Sequence, residues 1–184
     1  MDKIDILKGK GLLTKIKGVI VPKANEILGK VILGYDYRAK KNRLNTDQSV
    51  RDKLSRELEK SYNTLKEVSD LAYQDERREV LTHIKDTLNT IDLFQKEIKS
   101  SPYGLSPWFK QEKVSERDLV KMIEFDANLL DEIEVITSAT DLVYDKVLEG
   151  KTSDIILQVR KIKRSLDKMR NVYSDRKDFL INLV

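Results

Sequence analysis

Residues 47–100 read DQSVRDKLSRELEKSYNTLKEVSDLAYQDERREVLTHIKDTLNTIDLFQKEIKS, with neither Gly nor Pro. Apolar residues recur at Val50, Leu54, Leu58, Tyr62, Leu65, Val68 and Ala72, then at Leu81, Ile84, Leu88, Ile91, Phe94 and Ile98. Steps of mostly three or four put them on one face of a helix and rule out strand alternation. One continuous rod would be about 80 Å long at 1.5 Å per residue. The alternative is two helices, because residues 73–79 (YQDERRE) hold no aliphatic side chain and Asp75 can cap a second helix. In either case an apolar face of this length has to be covered.

Downstream, residues 101–114 (SPYGLSPWFKQEKV) hold two of the three prolines and the one Trp. Tyr103, Leu105, Trp108 and Phe109 give this loop apolar weight. It either plugs the end of a bundle or presents Trp108 and Phe109 to a partner. Ser115 opens a helix, with Asp118 three residues on as in a capping box. Its apolar line is Leu119, Met122, Leu129, Ile133, Ile136, Val143 and Val147, interrupted by Asp126 and Thr140, and Gly150 closes it at C′. Thr152 or Ser153 caps the last helix. There Ile155, Val159, Ile162, Leu166, Met169, Tyr173, Leu180 and Leu183 follow a near-heptad rhythm broken at Arg176. The few residues between these two helices predict an antiparallel hairpin.

Upstream, Leu12, Leu13, Ile16, Val19 and Ile20 share a helical face, with a hairpin through Lys8–Gly11 as the alternative. Pro22 suits the first turn of a helix burying Ala24, Ile27, Leu28, Val31 and Ile32 and running toward Lys41. Residues 38–46 then read as a polar connector, with Thr46 or Asp47 capping the long helix. The sum is an all-α fold: an elongated antiparallel helical bundle of four to five helices with coiled-coil-like long helices at about 47–100, 115–149 and 152–183. Residues 1–46 form a basic N-terminal segment with one helix, and 47–184 form the bundle as a single structural domain. Because the helices are unequal, part of the long segment is expected to need a second copy or a partner helix.

Charge is unevenly placed. Residues 1–46 carry 11 basic and 4 acidic groups, 47–100 carry 10 and 12, 101–150 carry 5 and 11, and 151–184 carry 9 and 4. The acidic penultimate helix therefore faces a basic last helix, which favours pairing within the fold. Asp126, on an apolar line, needs a buried partner, and Lys163, Arg164 or Arg176 can supply it.

The absence of Cys excludes disulfides, thiolate metal sites and Cys nucleophiles. His83 is the one histidine. Glu79 and Asp86 near it lack the Glu-x-x-His pairs of a di-iron bundle, and no phosphate-binding Gly loop is present. No enzyme activity, metal, cofactor or small-molecule substrate is expected. No apolar run reaches the length of a membrane span, and lysines interrupt the apolar N-terminus in a way a secretory signal does not.

The expected function is that of a non-catalytic helical interaction protein, an oligomeric scaffold or adaptor working through apolar helix seams. Its partners would be a second copy of the chain or another helical protein, and its location the cytoplasm or the periphery of a membrane. The alternative is a peripheral binder of anionic membrane, or less readily of nucleic acid, acting through the basic segment. Its anion contacts would be Lys8, Lys10, Lys15, Lys17, Lys23, Arg38, Lys40, Lys41 and Arg43, with Arg160, Arg164 and Lys168 on the last helix. Partner contacts would be Leu12, Leu13, Ile16, Trp108 and Phe109.

Overall fold

The computed structural model describes residues 11–101 and 106–182. Lys8, Lys10, Tyr103, Leu105 and Leu183 lie outside the described residues. The fold is all-helical, with no strand among the described residues: α1 (Leu12–Ile16), α2 (Val21–Gly29), α3 (Lys40–Gln74), α4 (Arg78–Ser100), α5 (Pro107–Lys110), α6 (Glu116–Leu148) and α7 (Thr152–Asn182).

The long stretch is two helices. α3 starts at Lys40, before the expected boundary, because Arg43 and Thr46 turn inward and make the polar run 40–46 part of the buried face. Thr46 and Asp47 are thus helix-interior residues and not caps. Asp75 is the C-cap of α3 and does not cap α4, whose N-cap is Arg77. The chain reverses through paired bonds from Glu76 N–H to the Tyr73 carbonyl at 3.1 Å and from Arg77 N–H to the Ala72 carbonyl at 2.9 Å. These are the two bonds of a Schellman turn, here with Glu76 in the left-handed region at φ 57° where glycine is usual. The α6–α7 turn makes the same two bonds, with Gly150 at that position. Glu76→Gly is therefore expected to raise stability by about 1 kcal/mol, seen as a higher urea midpoint at unchanged slope.

α4 folds back along α3, and none of the apolar positions of residues 50–98 identified from spacing is exposed. Val50, Leu54, Leu58, Leu65, Val68, Ile84, Ile91 and Phe94 are fully buried. These positions are thus covered by other parts of the same chain. α6 packs on both α7 and α3, and α4 packs on both α3 and α7. Asp47, Asp126 and Arg176 meet near one end, while Arg77 donates to the Val147 carbonyl at the other. α3 and α6 therefore run parallel, and each hairpin, α3–α4 and α6–α7, is antiparallel.

Ser115 caps α6 as expected, accepting from Asp118 N–H at 3.1 Å and donating to the Asp118 carboxylate at 2.7 Å. In the connection between the hairpins, α5 lies against α3 and α7.

α2 ends at Gly29 and does not reach Lys41. Residues 30–39 are irregular, Ile32 is buried, and Val31 is turned outward. α1 and α2 rest on α6. Asp131 of α6 accepts from Leu12 N–H at 2.7 Å and Leu13 N–H at 2.9 Å, closing the start of α1. Gly11 stands so close that a side chain there would run into the Asp131 carboxylate.

Candidate functional site

Two groups of polar residues stand apart from the apolar core, one buried and one exposed. The buried group is centred on Arg176, which continues the buried face of α7 in place of an apolar residue. Its Nε donates to Asp126 Oδ1 at 2.8 Å. Its Nη2 donates to Asp47 Oδ1 at 2.8 Å and to the Tyr37 hydroxyl at 2.9 Å. Tyr35 Oη donates to Asp126 Oδ2 at 2.9 Å, and Arg51 Nε donates to Asp47 Oδ2 at 2.9 Å. Each of the four carboxylate oxygens thus accepts a hydrogen bond from within the protein, and two arginines balance two aspartates.

Burial pushes the Asp126 carboxyl above its usual value, against the Arg176 charge and the hydrogen bonds from Arg176 and Tyr35. Burial also pushes the Tyr35 and Tyr37 hydroxyls well up, and the charge of Asp126 adds to this. For Arg176 burial opposes the charge, but Asp126, Tyr37 and Asp47 outweigh it and hold the guanidinium well above its ordinary value. The cluster joins α3, α6, α7 and the segment before α3 at one point. Of the partners named for Asp126 from sequence, Arg176 is the one that reaches it. Lys163 instead pairs with Asp86 of α4.

Beside this cluster the end of the helical body is closed by aromatic rings. Tyr35, Tyr37, Trp108 and Phe109 meet edge to face in sequence, with centroids 5.3, 5.4 and 5.3 Å apart. Arg43 lies 5.5 Å from the Trp108 ring centre and donates to the carbonyls of Tyr37 at 2.9 Å and Gln111 at 2.6 Å. Burial lowers its pKa from the usual guanidinium value. These positions correct three expectations. Arg43 is buried with its donors taken by main-chain carbonyls, so it offers nothing to an outside anion. Trp108 and Phe109 are buried and plug the end of the body, so neither is a partner contact. Ile16 is buried as well, and Leu12 and Leu13 are half-buried against the core, which makes α1 a packed element.

Among the described residues, the other cations named from sequence lie on the N-terminal elements and on α7. On the N-terminal elements Lys15, Lys17, Lys23, Lys30, Arg38, Lys40 and Lys41 are exposed. Lys23 pairs with Glu26 and Lys40 with Glu112. Lys15, Lys17, Lys30, Arg38 and Lys41 have no ion-pair partner among the described residues. The one acid between Lys30 and Asn45 is Asp36, and its carboxylate is turned to local donors: Asn25 at 3.2 Å, Arg38 N–H at 2.8 Å and Asn42 at 3.1 Å. Sequence reasoning passed over Lys30, whose signal is its place next to Gly29 at a helix end.

On α7 the basic stripe is broken up. Lys168 pairs with Glu132 of the acidic α6, and Arg170 lies 3.8 Å from Glu97 of α4. Arg160 and Arg164 are exposed without an ion-pair partner among the described residues. His83 is half-buried on α4 and Glu79 is exposed, and no group of three or more acidic or histidine side chains gathers among the described residues.

Open surface depressions lie elsewhere on the described residues. One of about 410 Å³ is lined by Glu97, Asp167, Arg170, Asn171 and Ser174, and one of about 520 Å³ by Lys121, Phe125, Asp175, Asp178, Phe179 and Asn182. Neither reaches the buried cluster. Comparison with protein-family models, with curated proteins and with solved structures found no match.

Proposed function

We propose that this is a non-catalytic helical interaction protein: a four-helix bundle of α3, α4, α6 and α7 that holds a basic surface, made by α1, α2 and the start of α3, against an anionic membrane. The observation that carries this is the set of exposed cations, Lys15, Lys17, Lys30, Arg38 and Lys41, which have no ion-pair partner among the described residues. Charges fixed on one region attract an anionic surface at about 1 kcal/mol each, screened over a Debye length of about 8 Å at physiological salt. No helix among the described residues is long and apolar enough to cross a membrane, so attachment of these residues is to the surface.

The test is flotation with phosphatidylserine-containing vesicles, comparing the chain with a variant carrying Lys15→Glu, Lys17→Glu, Arg38→Glu and Lys41→Glu. The unaltered chain is expected to float at low salt and to be released as salt rises, and the variant to stay behind. Equal flotation of both removes this function from the basic surface. If duplex DNA strips the unaltered chain from the vesicles, the anion is nucleic acid.

An oligomeric scaffold is the other function to weigh, favoured by the exposed Leu93, Leu142 and Leu157 on three of the long helices. Sedimentation separates the two. A mass of 21.4 kDa independent of concentration belongs to the membrane-docking monomer, and a multiple of it to the scaffold.

A further inference from the structure

We propose that Ile20 and Leu33, standing at the two ends of α2, insert into the interfacial layer of an anionic bilayer while the lysines beside them hold its headgroups. This rests on the membrane-docking function above and adds an apolar component to it.

The two ends of α2 are built alike. At one end Lys17, Gly18 and Ile20 make a turn closed by the Val19 N–H to Ile16 carbonyl bond at 3.1 Å. At the other, Gly29, Lys30 and Val31 lie in a turn closed by bonds from Val31 and Ile32 N–H to the Leu28 carbonyl, each 2.9 Å, and Leu33 and Gly34 lie in the next, closed by the Tyr35 N–H to Ile32 carbonyl bond at 3.2 Å. Gly18 and Gly34 adopt φ of +74° and +75°, a left-handed backbone that glycine takes without strain. Among the described residues nothing lies within 4 Å of where a side chain at Gly18, Gly29 or Gly34 would project, so the space beside each of these glycines is open.

Each turn carries an aliphatic side chain that the fold does not use. Ile20 is 67% exposed and Leu33 is 96% exposed, the highest value among the exposed large hydrophobics. The residues next to them point the other way: Val21 and Ile32 are buried, so the turns are anchored while their tips are free. α2 itself is a bar of about 13 Å at 1.5 Å per residue, with Val21, Ala24 and Leu28 buried and Pro22, Lys23 and Glu26 outward.

An exposed aliphatic residue alone needs no explanation. Here, though, two apolar tips are spaced by a short rigid helix, each beside a lysine, in a region whose exposed charge is mostly positive. A nucleic acid would use the lysines and leave the tips in water. A bilayer accepts both, taking the ammonium groups at the phosphates and the aliphatic groups just below them.

The chain has no cysteine, so Ile20→Cys, Leu33→Cys and, as a control on α4, Leu93→Cys each give one labelling position on the full-length protein. Each is labelled with an environment-sensitive dye and mixed with phosphatidylcholine–phosphatidylserine vesicles. Labels at 20 and 33 are expected to shift to the blue and to be quenched by lipids brominated in the acyl chain, and the label at 93 to do neither. A double variant, Ile20→Ser with Leu33→Ser, should bind vesicles about tenfold more weakly at fixed salt with an unchanged salt slope. The charge-reversal variant should instead lose the salt dependence.

Vesicle binding with no shift at either position, and no loss in the double serine variant, overturns the insertion and leaves docking by charge standing. Absence of vesicle binding by the full chain overturns both. Label shifts produced by duplex DNA and not by vesicles overturn the bilayer as the partner.

Discussion

Replacing Arg176 with methionine is expected to lower the stability of the protein by about 3–5 kcal/mol, because it leaves buried carboxylates without the cation that joins them. Asp126 would keep Tyr35 and Asp47 would keep Arg51, but the guanidinium that binds both aspartates would be gone. Trp108 reports the loss directly. It is the one tryptophan and fully buried, so its emission moves to the red as the chain unfolds, and the urea midpoint can be read from it.

The sign of the pH effect follows from Asp126, whose carboxyl burial already raises. A carboxyl that takes its proton more readily in the folded state than in the unfolded state gains stability as pH falls. Removing Arg176 strengthens this, so the deficit of Arg176→Met should narrow as pH falls from neutrality. Adding Asp126→Asn to Arg176→Met should recover part of the loss at neutral pH and flatten the pH dependence. An Arg176→Met protein as stable as the unaltered one would show that the buried pairs are dispensable.

Trp108→Ala is the second large effect, at about 3–5 kcal/mol for removing a buried tryptophan side chain. The ring touches Tyr37 and Phe109 edge to face and lies beside the Arg43 guanidinium. Its removal opens a void at the closed end of the helical body and uncovers Arg43, whose carbonyl partners include those of Trp108 and Gln111. Thermal unfolding followed by circular dichroism measures the cost. Phe109 is slightly exposed and borders the same plug, so Phe109→Ala is the smaller loss of the two.

The apolar spacing from Val50 to Ile98, and from Ile155 to Leu180, was legible because a helix that buries one face repeats every three to four residues. The caps at Ser115 and Gly150 were legible for the same reason of local chemistry. The α3–α4 break was legible as one of two alternatives, from the run 73–79 without aliphatic side chains, and stayed undecided because Glu76 fills a backbone position that glycine usually marks. The early start of α3 was hidden because Arg43 and Asp47 are polar in composition yet buried by their partners. Those partners, Tyr37, Gln111 and Arg176, lie in other elements. Asp126 announced itself by interrupting an apolar line, and Arg176 did the same on α7.

The exposed cations of the N-terminal region were readable as charge. Lys30, Ile20 and Leu33 became meaningful only once α2 ended at Gly29 and the turns flanking it left Ile20 and Leu33 exposed. The inward turn of Arg43, Trp108 and Phe109 is a matter of tertiary packing, which no local pattern distinguishes from an exposed aromatic loop.

The parallel alignment of α3 and α6 also bears on how the chain folds. Each hairpin closes on neighbours in sequence and can assemble early, whereas the face between α3 and α6 has to wait until the chain has gone out and back. Arg176 shares a hairpin with Asp126 but reaches Asp47 of α3 only when the two hairpins dock, so the bonds it makes across that face belong to the last stage of assembly. Weakening them shortens the life of the folded state and leaves the speed of reaching it almost unchanged. Slow opening, and cleavage by the proteases that exploit it, is therefore expected to quicken when the one guanidinium that bridges the two hairpins is removed.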